Sequence, residues 1–161
     1  MTPAAPQQTR DAIRAAIAAG RAADAERMAR ALTISAPSPE VFELLSAALR
    51  AQGKADKAVA AAEDGLRLDL GSIRLTHARA LGLADLGRNE EALRVFDSLA
   101  KRGVEQPPIW LSRGIALLGL ARDADAEAMF ADGVRRWPQD QGLQQGLASV
   151  RWMRGQGPAN W

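Results

Sequence analysis

Small and apolar residues recur along this chain with a period of about 34 residues. Each of the recurring positions keeps its size class from one repeat to the next. The clearest sets are Gly53 with Gly87, Ala121 and Gly155; Leu49 with Leu83 and Leu117; and Ala58 with Ala92 and Ala126. A period of this length is typical of stacked structural repeats, so we predict a tandem-repeat protein.

Each repeat contains two stretches in which apolar residues return every three or four positions, the pattern of two amphipathic helices. In the third repeat a turn at Gly87 separates the two stretches, and glycine can adopt the positive φ that such a turn needs. We expect Asn89 to cap the second helix, and Glu90 and Glu91 to favour its positive end. No stretch alternates apolar and polar residues over the length of a strand, so the predicted fold class is all-α.

The fourth repeat carries the residues of a known sequence pattern. A tryptophan, a small residue, an alanine, an aromatic residue and a closing proline follow one another at Trp110, Gly114, Ala126, Phe130 and Pro138. This segment resembles the tetratricopeptide repeat, and weaker versions recur in the three preceding repeats. The resemblance implies tandem helix-turn-helix repeats that stack into a right-handed superhelical solenoid.

The register of the repeats predicts the domain organisation. We expect repeats at residues 6–38, 39–72, 73–106 and 107–140, followed by a capping helix at residues 141–154. Together they form one predicted domain at residues 9–154, between a flexible N-terminus at residues 1–8 and a C-terminal tail at residues 155–161. The small residues Gly114 and Ala126 are predicted crossing points of two helices, with Phe130 filling the space beside them.

Composition and charge exclude several classes of function. The 21 Lys and Arg residues nearly balance the 19 Asp and Glu residues, and no five like charges are consecutive. Arg135 and Arg136 are interpreted as cations at the end of a helix, so neither nucleic acid nor membrane is a predicted partner. Cysteine is absent, which excludes disulfides and thiolate chemistry. Because no apolar stretch reaches about 18 residues, we expect a cytoplasmic protein.

The candidate catalytic groups have simpler explanations. His77 is the only histidine, and no second ligand lies at a spacing typical of metal sites. The acidic pairs Glu90 with Glu91 and Asp123 with Asp125 lie at predicted helix starts, where the helix dipole favours carboxylates. We therefore predict that the protein is not an enzyme and that it holds no cofactor and no metal.

The resemblance also implies a binding site, because in this family the first helices of successive repeats line a concave inner face. By register, that face receives Leu44, Ala47, Arg74, His77, Ala78, Leu81, Leu111, Ser112, Ile115 and Leu118, and the capping helix adds Trp152. An apolar groove with a few arginines suits an apolar peptide or an amphipathic helix. Family members that bind acidic chaperone tails use Lys, Asn and Arg side chains where this sequence has Ala47, Ala78 and Ser112, so we do not expect that ligand.

The predicted function is a non-enzymatic scaffold or adaptor that binds a peptide or helix of another protein in this concave groove. Two alternatives stay open. The chain is either a docking or regulatory module of a larger enzyme, or a self-associating, homo-oligomeric scaffold. Trp152 on the capping helix and Trp161 in the tail fit a contact surface and simple packing equally well.

Overall fold

The computed structural model describes residues 5–155, and within that range all regular structure is helical. The nine α-helices of the described residues are α1 (Pro6–Ala18), α2 (Ala22–Ser35), α3 (Pro39–Ala51), α4 (Ala55–Leu68), α5 (Ile73–Asp85), α6 (Asn89–Lys101), α7 (Pro107–Gly119), α8 (Asp123–Arg136) and α9 (Gln141–Met153). The predicted all-α fold class is confirmed. Helix α1 begins at Pro6, earlier than residue 9, where the domain was expected to start.

The helices follow the predicted repeats. The boundaries expected after residues 38, 72, 106 and 140 all fall in loops or at residues that cap the next helix. Three of these caps are made by side chains: Ser38, Ser72 and Asp140 each accept a hydrogen bond from the backbone N–H three residues further on. The cap expected at Asn89 is wrong, because Arg88 occupies the capping position and Asn89 is the first residue of α6.

The turn after the first helix of each repeat adopts a left-handed backbone conformation. Gly53 and Gly87 have φ of 74° and 77°, which confirms the turn predicted at Gly87. In the fourth repeat Ala121 takes the same position with φ of 55°. This conformation costs an L-residue roughly 1–2 kcal/mol, so the stacking of the helices fixes the turn even without glycine.

The chain divides into two compact units, the first ending at Leu86 and the second beginning at Gly87. The division lies between α5 and α6, inside the third predicted repeat. The first unit, α1–α5, contains a core of aliphatic residues that includes Ile13, Ala25, Ala29, Val41, Leu45, Leu49 and Ala58. The second unit, α6–α9, buries the rings of Phe96 and Phe130 together with aliphatic side chains such as Leu143 and Val150.

The predicted crossing at Gly114 is confirmed in the second unit. A Cβ atom added at Gly114 would lie 2.5 Å from Cζ of Phe130, so no larger residue fits there without moving the ring. Ala126 is also fully buried. Two repeats earlier, Ser46 takes the place of Gly114 and Ala62 takes the place of Phe130. The two units therefore fill the same crossing with opposite combinations of small and large side chains.

Candidate functional site

Helices α3 and α5 pack against each other in the first unit and enclose a small pocket of about 90 Å³. Five of the residues predicted for the binding face line it, namely Ala47, Arg74, His77, Ala78 and Leu81. The same pocket is also lined by Glu43, Ser46 and Arg50, which the sequence pattern did not assign to it. The structure thus brings together the predicted residues of the first unit, Leu44 excepted, and adds charged neighbours. We call this site the inner pocket.

Two ion pairs join α3 to α5 at opposite ends of the inner pocket. Near the start of the helices, Arg74 lies 3.6 Å from the carboxylate of Glu43. In their last turns, Arg50 donates two hydrogen bonds to Asp85, at 2.6 Å from Nε and 3.3 Å from Nη2. The two-bond pair holds its side chains in one geometry, whereas the single longer contact leaves Arg74 with most of its surface in water.

Burial shifts the pKa values of two residues that line the inner pocket, His77 and Glu43. Burial and the nearby charge of Arg50 lower the pKa of His77 to about 4, so its imidazole is neutral at physiological pH. Burial raises the pKa of Glu43, and Arg74 opposes that shift. The inner pocket therefore offers a neutral imidazole and an apolar floor between two charged rims.

Two predicted site residues belong to the protein interior. Leu44 is 7% exposed and lies in the core of the first unit, and Ser112 is 8% exposed in the second unit. They occupy the same position of the repeat as Ala78, which is similarly buried but lines the inner pocket. Leu44 and Ser112 therefore expose less than a tenth of their surface, and their assignment to a ligand-binding surface stays a prediction.

The predicted inner-face residues of the second unit lie on α7 and α9. Ile115 and Trp152 are 52% and 76% exposed, and Leu118 is partly exposed. Leu111 faces α9, because a Cβ added at Gly142 would lie 3.1 Å from its Cδ2 atom. Trp161 lies outside the described residues. The second unit therefore exposes apolar side chains on α7 and α9, whereas the inner pocket of the first unit has charged rims.

A larger groove of about 630 Å³ lies on another side of the second unit. Helix α7 forms its floor through Trp110, Arg113 and Leu117, and helices α6 and α8 form its walls. The walls carry mostly charged side chains, together with Leu93 and Met129. We call this site the outer groove. The sequence pattern did not predict it.

The indole of Trp110 organises one end of the outer groove. Its Nε1 donates a 2.8 Å hydrogen bond to Asp132, and the guanidinium groups of Arg113 and Arg136 lie 5.3 and 4.9 Å from the ring centroid. Trp137 packs edge-on at 5.2 Å. Arg136 also forms ion pairs, so its interpretation as a simple helix-end cation was incomplete.

Asp132 stays ionised in this cluster. Burial alone would raise the pKa of its carboxyl, but the hydrogen bond from Trp110 and the charge of Arg136 outweigh burial and lower the pKa. The carboxylate therefore fixes Trp110 and Arg136 in place at neutral pH.

One sequence signal could have indicated the polar floor of the outer groove. An acidic residue and an arginine sixteen positions later form an ion pair in both units: Glu63 with Arg79 at 3.1 Å, and Asp97 with Arg113 at 2.9 Å. The two pairs are one repeat apart. A charged pair that recurs in register predicts a contact between neighbouring helices, even where a hydropathy pattern shows only a helix face.

Neither site has the arrangement of a metal centre. Among the described residues, no group of three or more His, Cys, Asp or Glu side chains is placed to hold a metal ion. In the same part of the chain, no helix combines the length and apolarity needed to cross a membrane. What the two sites offer are hydrogen-bond donors, ion pairs and apolar surface, which is chemistry for binding.

The paired helices, the left-handed turns and the close crossings define the fold of tetratricopeptide repeat proteins. Solved structures of such proteins are similar to this chain. TTC0263, a thermophilic tetratricopeptide repeat protein of Thermus thermophilus, matches with a TM-score of 0.83 and 22% identity over 94% of this chain and 84% of its own. MamA of Desulfovibrio magneticus RS-1, from residue 41 to its end, matches with a TM-score of 0.71 and 16% identity over 93% and 85%.

A tetratricopeptide repeat protein of Parabacteroides merdae matches with a TM-score of 0.67 and 22% identity, over 92% of this chain and 60% of its own. No family model and no curated protein sequence matches the chain. At these identities the likeness shows the fold, and the function has to be argued from the sites.

Proposed function

We propose that this protein is a non-enzymatic interaction scaffold that holds an apolar peptide or an amphipathic helix of a partner protein against the inner faces of its first helices. The observation that carries the proposal is the inner pocket, where small and apolar residues lie between two ion pairs on adjacent helices. The sequence resemblance to the tetratricopeptide repeat supports it, because that resemblance implies that the first helices line the partner-binding face, and the similar solved structures share the fold.

The size of the inner pocket favours a peptide side chain as its occupant. Sites for whole small molecules typically have volumes of about 300–1,000 Å³. A pocket of about 90 Å³ has room for one aliphatic side chain. We therefore assign it as the anchor point for a single apolar residue of the partner, with Ala47, Ala78 and Leu81 in contact with that residue.

One anchor does not supply the whole binding free energy. Burial of an aliphatic side chain contributes roughly 1.5–3 kcal/mol, whereas a micromolar complex needs about 8 kcal/mol. The partner must therefore touch more of the same face. The guanidinium of Arg74 is 72% exposed and held by one 3.6 Å contact, so it is free to turn toward a carbonyl or carboxylate of the ligand. In this role Arg74 orients the peptide.

The test uses the substitution Ala47→Leu, which fills the inner pocket without adding charge. Peptides are selected from a displayed random library on the immobilised full chain, and a selected peptide is titrated by calorimetry onto wild type and Ala47→Leu. We expect binding to Ala47→Leu to weaken at least about tenfold, as loss of one anchor residue requires. Ala60→Leu is the matched control, because Ala60 is exposed on α4 outside the pocket.

Equal affinities for wild type and Ala47→Leu would contradict the proposal. Light scattering on the same variants separates peptide binding from self-association. If Ala47→Leu changes a dimer into a monomer, the inner pocket serves contact between copies of the chain instead of a foreign peptide.

A further inference from the structure

The outer groove of the second unit has more hydrogen-bond donors than its own acceptors can use. Its walls and floor carry Arg113, Arg122, Arg135 and Arg136, but only three aspartates, Asp97, Asp125 and Asp132. A guanidinium has five N–H donors and a carboxylate about four acceptor positions, so the four arginines carry about 20 donors. The three aspartates offer about 12 acceptor positions, and Glu105, which pairs with Arg136 from outside the groove, adds about four. The imbalance favours a ligand that is rich in acceptors and negatively charged.

We propose that the outer groove binds an acidic segment of another polypeptide, in which carboxylates flank an apolar side chain. Arg122 and Arg135 would bind the carboxylates, and the apolar side chain would lie against Leu93, Leu117 and Met129. The inference goes beyond the proposed function, because it uses residues of the second unit only and none that line the inner pocket.

The two outer arginines are available to a ligand. Arg122 and Arg135 are 52% and 76% exposed, and each is paired with a carboxylate of its own helix three residues away, at 2.9 and 3.0 Å. Exposed pairs of this kind contribute about 0–1 kcal/mol. Exchanging them for a ligand carboxylate therefore costs little, and the guanidinium offers two parallel N–H groups to it.

The two inner arginines are held in place by carboxylates, Arg113 by Asp97 and Arg136 by Asp132 and Glu105, so the outer arginines are the groups that a ligand can engage. Arg113 is 18% exposed, is tied to Asp97, and stacks on Trp110 together with Arg136. Because two guanidinium groups lie against the ring and Trp110 is only 5% exposed, no nucleobase can stack on it. Single-stranded nucleic acids usually bind through such stacking, so the groove favours a peptide over a nucleic acid.

The dimensions of the groove suit a short extended segment. Its residues on α7 begin at Trp110, and a smaller adjoining pocket of about 360 Å³ continues it past Arg122 through Leu93 and Asp97. On α8 its lining residues run from Asp125 to Arg136. Eleven helical rises span about 16 Å, which equals about five residues of extended chain. The groove of about 630 Å³ is also large enough to take several side chains.

The test uses a fluorescein-labelled acidic peptide, EELDELEE, and its amide analogue, QQLNQLQQ, with the full chain at about 0.15 M ionic strength. The double variant Arg122→Gln and Arg135→Gln removes both outer arginines. The control variant Arg27→Gln and Arg67→Gln removes two arginines of the first unit that are at least as exposed and are likewise paired with a carboxylate three residues away. Both variants change the net charge by the same amount.

We expect the acidic peptide to bind wild type in fluorescence anisotropy, the amide analogue to bind at least about tenfold more weakly, and the outer-groove variant to lose about tenfold in affinity. The control variant should bind as wild type does. Equal binding of the two peptides, no binding of either, or an equal loss in both variants would overturn the proposal. Displacement of the peptide by an equal concentration of oligothymidine would assign the groove to nucleic acid and overturn it as well.

Discussion

The same place in the repeat is closed in the first unit and open in the second. In the second unit, α7 forms the floor of the outer groove through Trp110 and Arg113. Two repeats earlier, α3 has Phe42 and Leu45 at these positions. Leu45 is 4% exposed and belongs to the aliphatic core of the first unit. Apolar packing fills on α3 the position at which α7 has a charged floor. On α5, also in the first unit, the same position is Arg79, which pairs with Glu63.

The space between the second helices of neighbouring repeats is also closed at one end in the first unit and open at that end in the second. In the first unit Glu26 of α2 accepts hydrogen bonds from Lys54, at 2.9 Å, and from Gln52, at 2.6 Å, which ties α2 to the start of α4. These bonds lower the pKa of Glu26 to about 2. In the second unit Leu93 stands in the place of Glu26, and Arg122 pairs within its own helix with Asp125. No equivalent bond joins those two residues, so the groove stays open.

The comparison teaches that the helix register does not decide between core and groove. Both regions have helices of 13 or 14 residues, and in both the turn after the first helix of the repeat is left-handed, as the 34-residue pattern sets. A few side chains on the floor and at the end decide whether the space between the second helices of neighbouring repeats is packed or accessible. Function in a repeat protein can therefore change locally while its scaffold stays the same.

The largest change in the free energy of unfolding is expected when the residue types of Leu45 on α3 and Arg113 on α7 are exchanged. Leu45→Arg places a charge in the core of the first unit, where Arg30 stands in the position of Asp97 and provides no carboxylate. We expect it to lower the free energy of unfolding by more than about 3 kcal/mol. Arg113→Leu should change it by less than about 1 kcal/mol, because Asp97 is 41% exposed and remains hydrated.

Urea unfolding followed by circular dichroism measures both changes. If the two substitutions destabilise equally, the outer region of the first unit is not a packed core and the comparison fails.

A smaller effect is expected at the helix crossing. Gly114→Ser should cost about 2–3 kcal/mol, because the new side chain would displace the ring of Phe130. Adding Phe130→Ala recreates the Ser46 and Ala62 combination of the first unit. The double variant should therefore be at least about 1 kcal/mol more stable than the sum of the single changes predicts. Strict additivity in thermal unfolding would show that the two positions do not share one crossing.

The smallest of these effects is the pH dependence that His77 gives to the free energy of unfolding. The second unit has Leu111 at this position and lacks this contribution. His77 has a folded pKa of about 4 against 6.5 in the unfolded chain, so its contribution to stability is present above pH 6.5 and is lost as the pH falls to about 4. Between these limits wild type should lose about 2 kcal/mol more than His77→Gln.

The charged groups that face His77 are Glu43 and Arg74 at one end and Arg50 at the other. The raised pKa of Glu43 acts in the opposite direction on acidification, which is why the difference between wild type and His77→Gln is the quantity to measure. Parallel pH profiles of unfolding free energy would show that His77 is not buried in the neutral form.

The sequence predicts the helices better than the sites, for a physical reason. Periodicity reports which residues share a helix face, so it places α1 to α9, and the family resemblance adds that Ala47, His77 and Leu81 share one surface. It does not report which side chain pairs with which across two helices. The ion pair of Arg50 with Asp85 therefore escaped prediction, and so did the cap at Arg88, since several polar residues could have ended that turn.

The outer groove escaped prediction for the same reason. Trp110 fits the family pattern and Arg136 fits a helix-end cation, and only their contact in space reveals a site. The burial of Leu44 and Ser112 was not predicted either. They lie on the predicted face, but the packing around them leaves less than a tenth of their surface to a ligand.

The most direct test of the proposed scaffold function is nuclear magnetic resonance mapping of a library-selected apolar peptide on the isotope-labelled full chain. We predict that the largest amide shifts cluster at Ala47, His77, Ala78 and Leu81, and that they disappear in Ala47→Leu but persist in Ala60→Leu. Shifts that cluster on α2 and α4 instead, or that persist in Ala47→Leu, would contradict the claim that the inner pocket holds the partner.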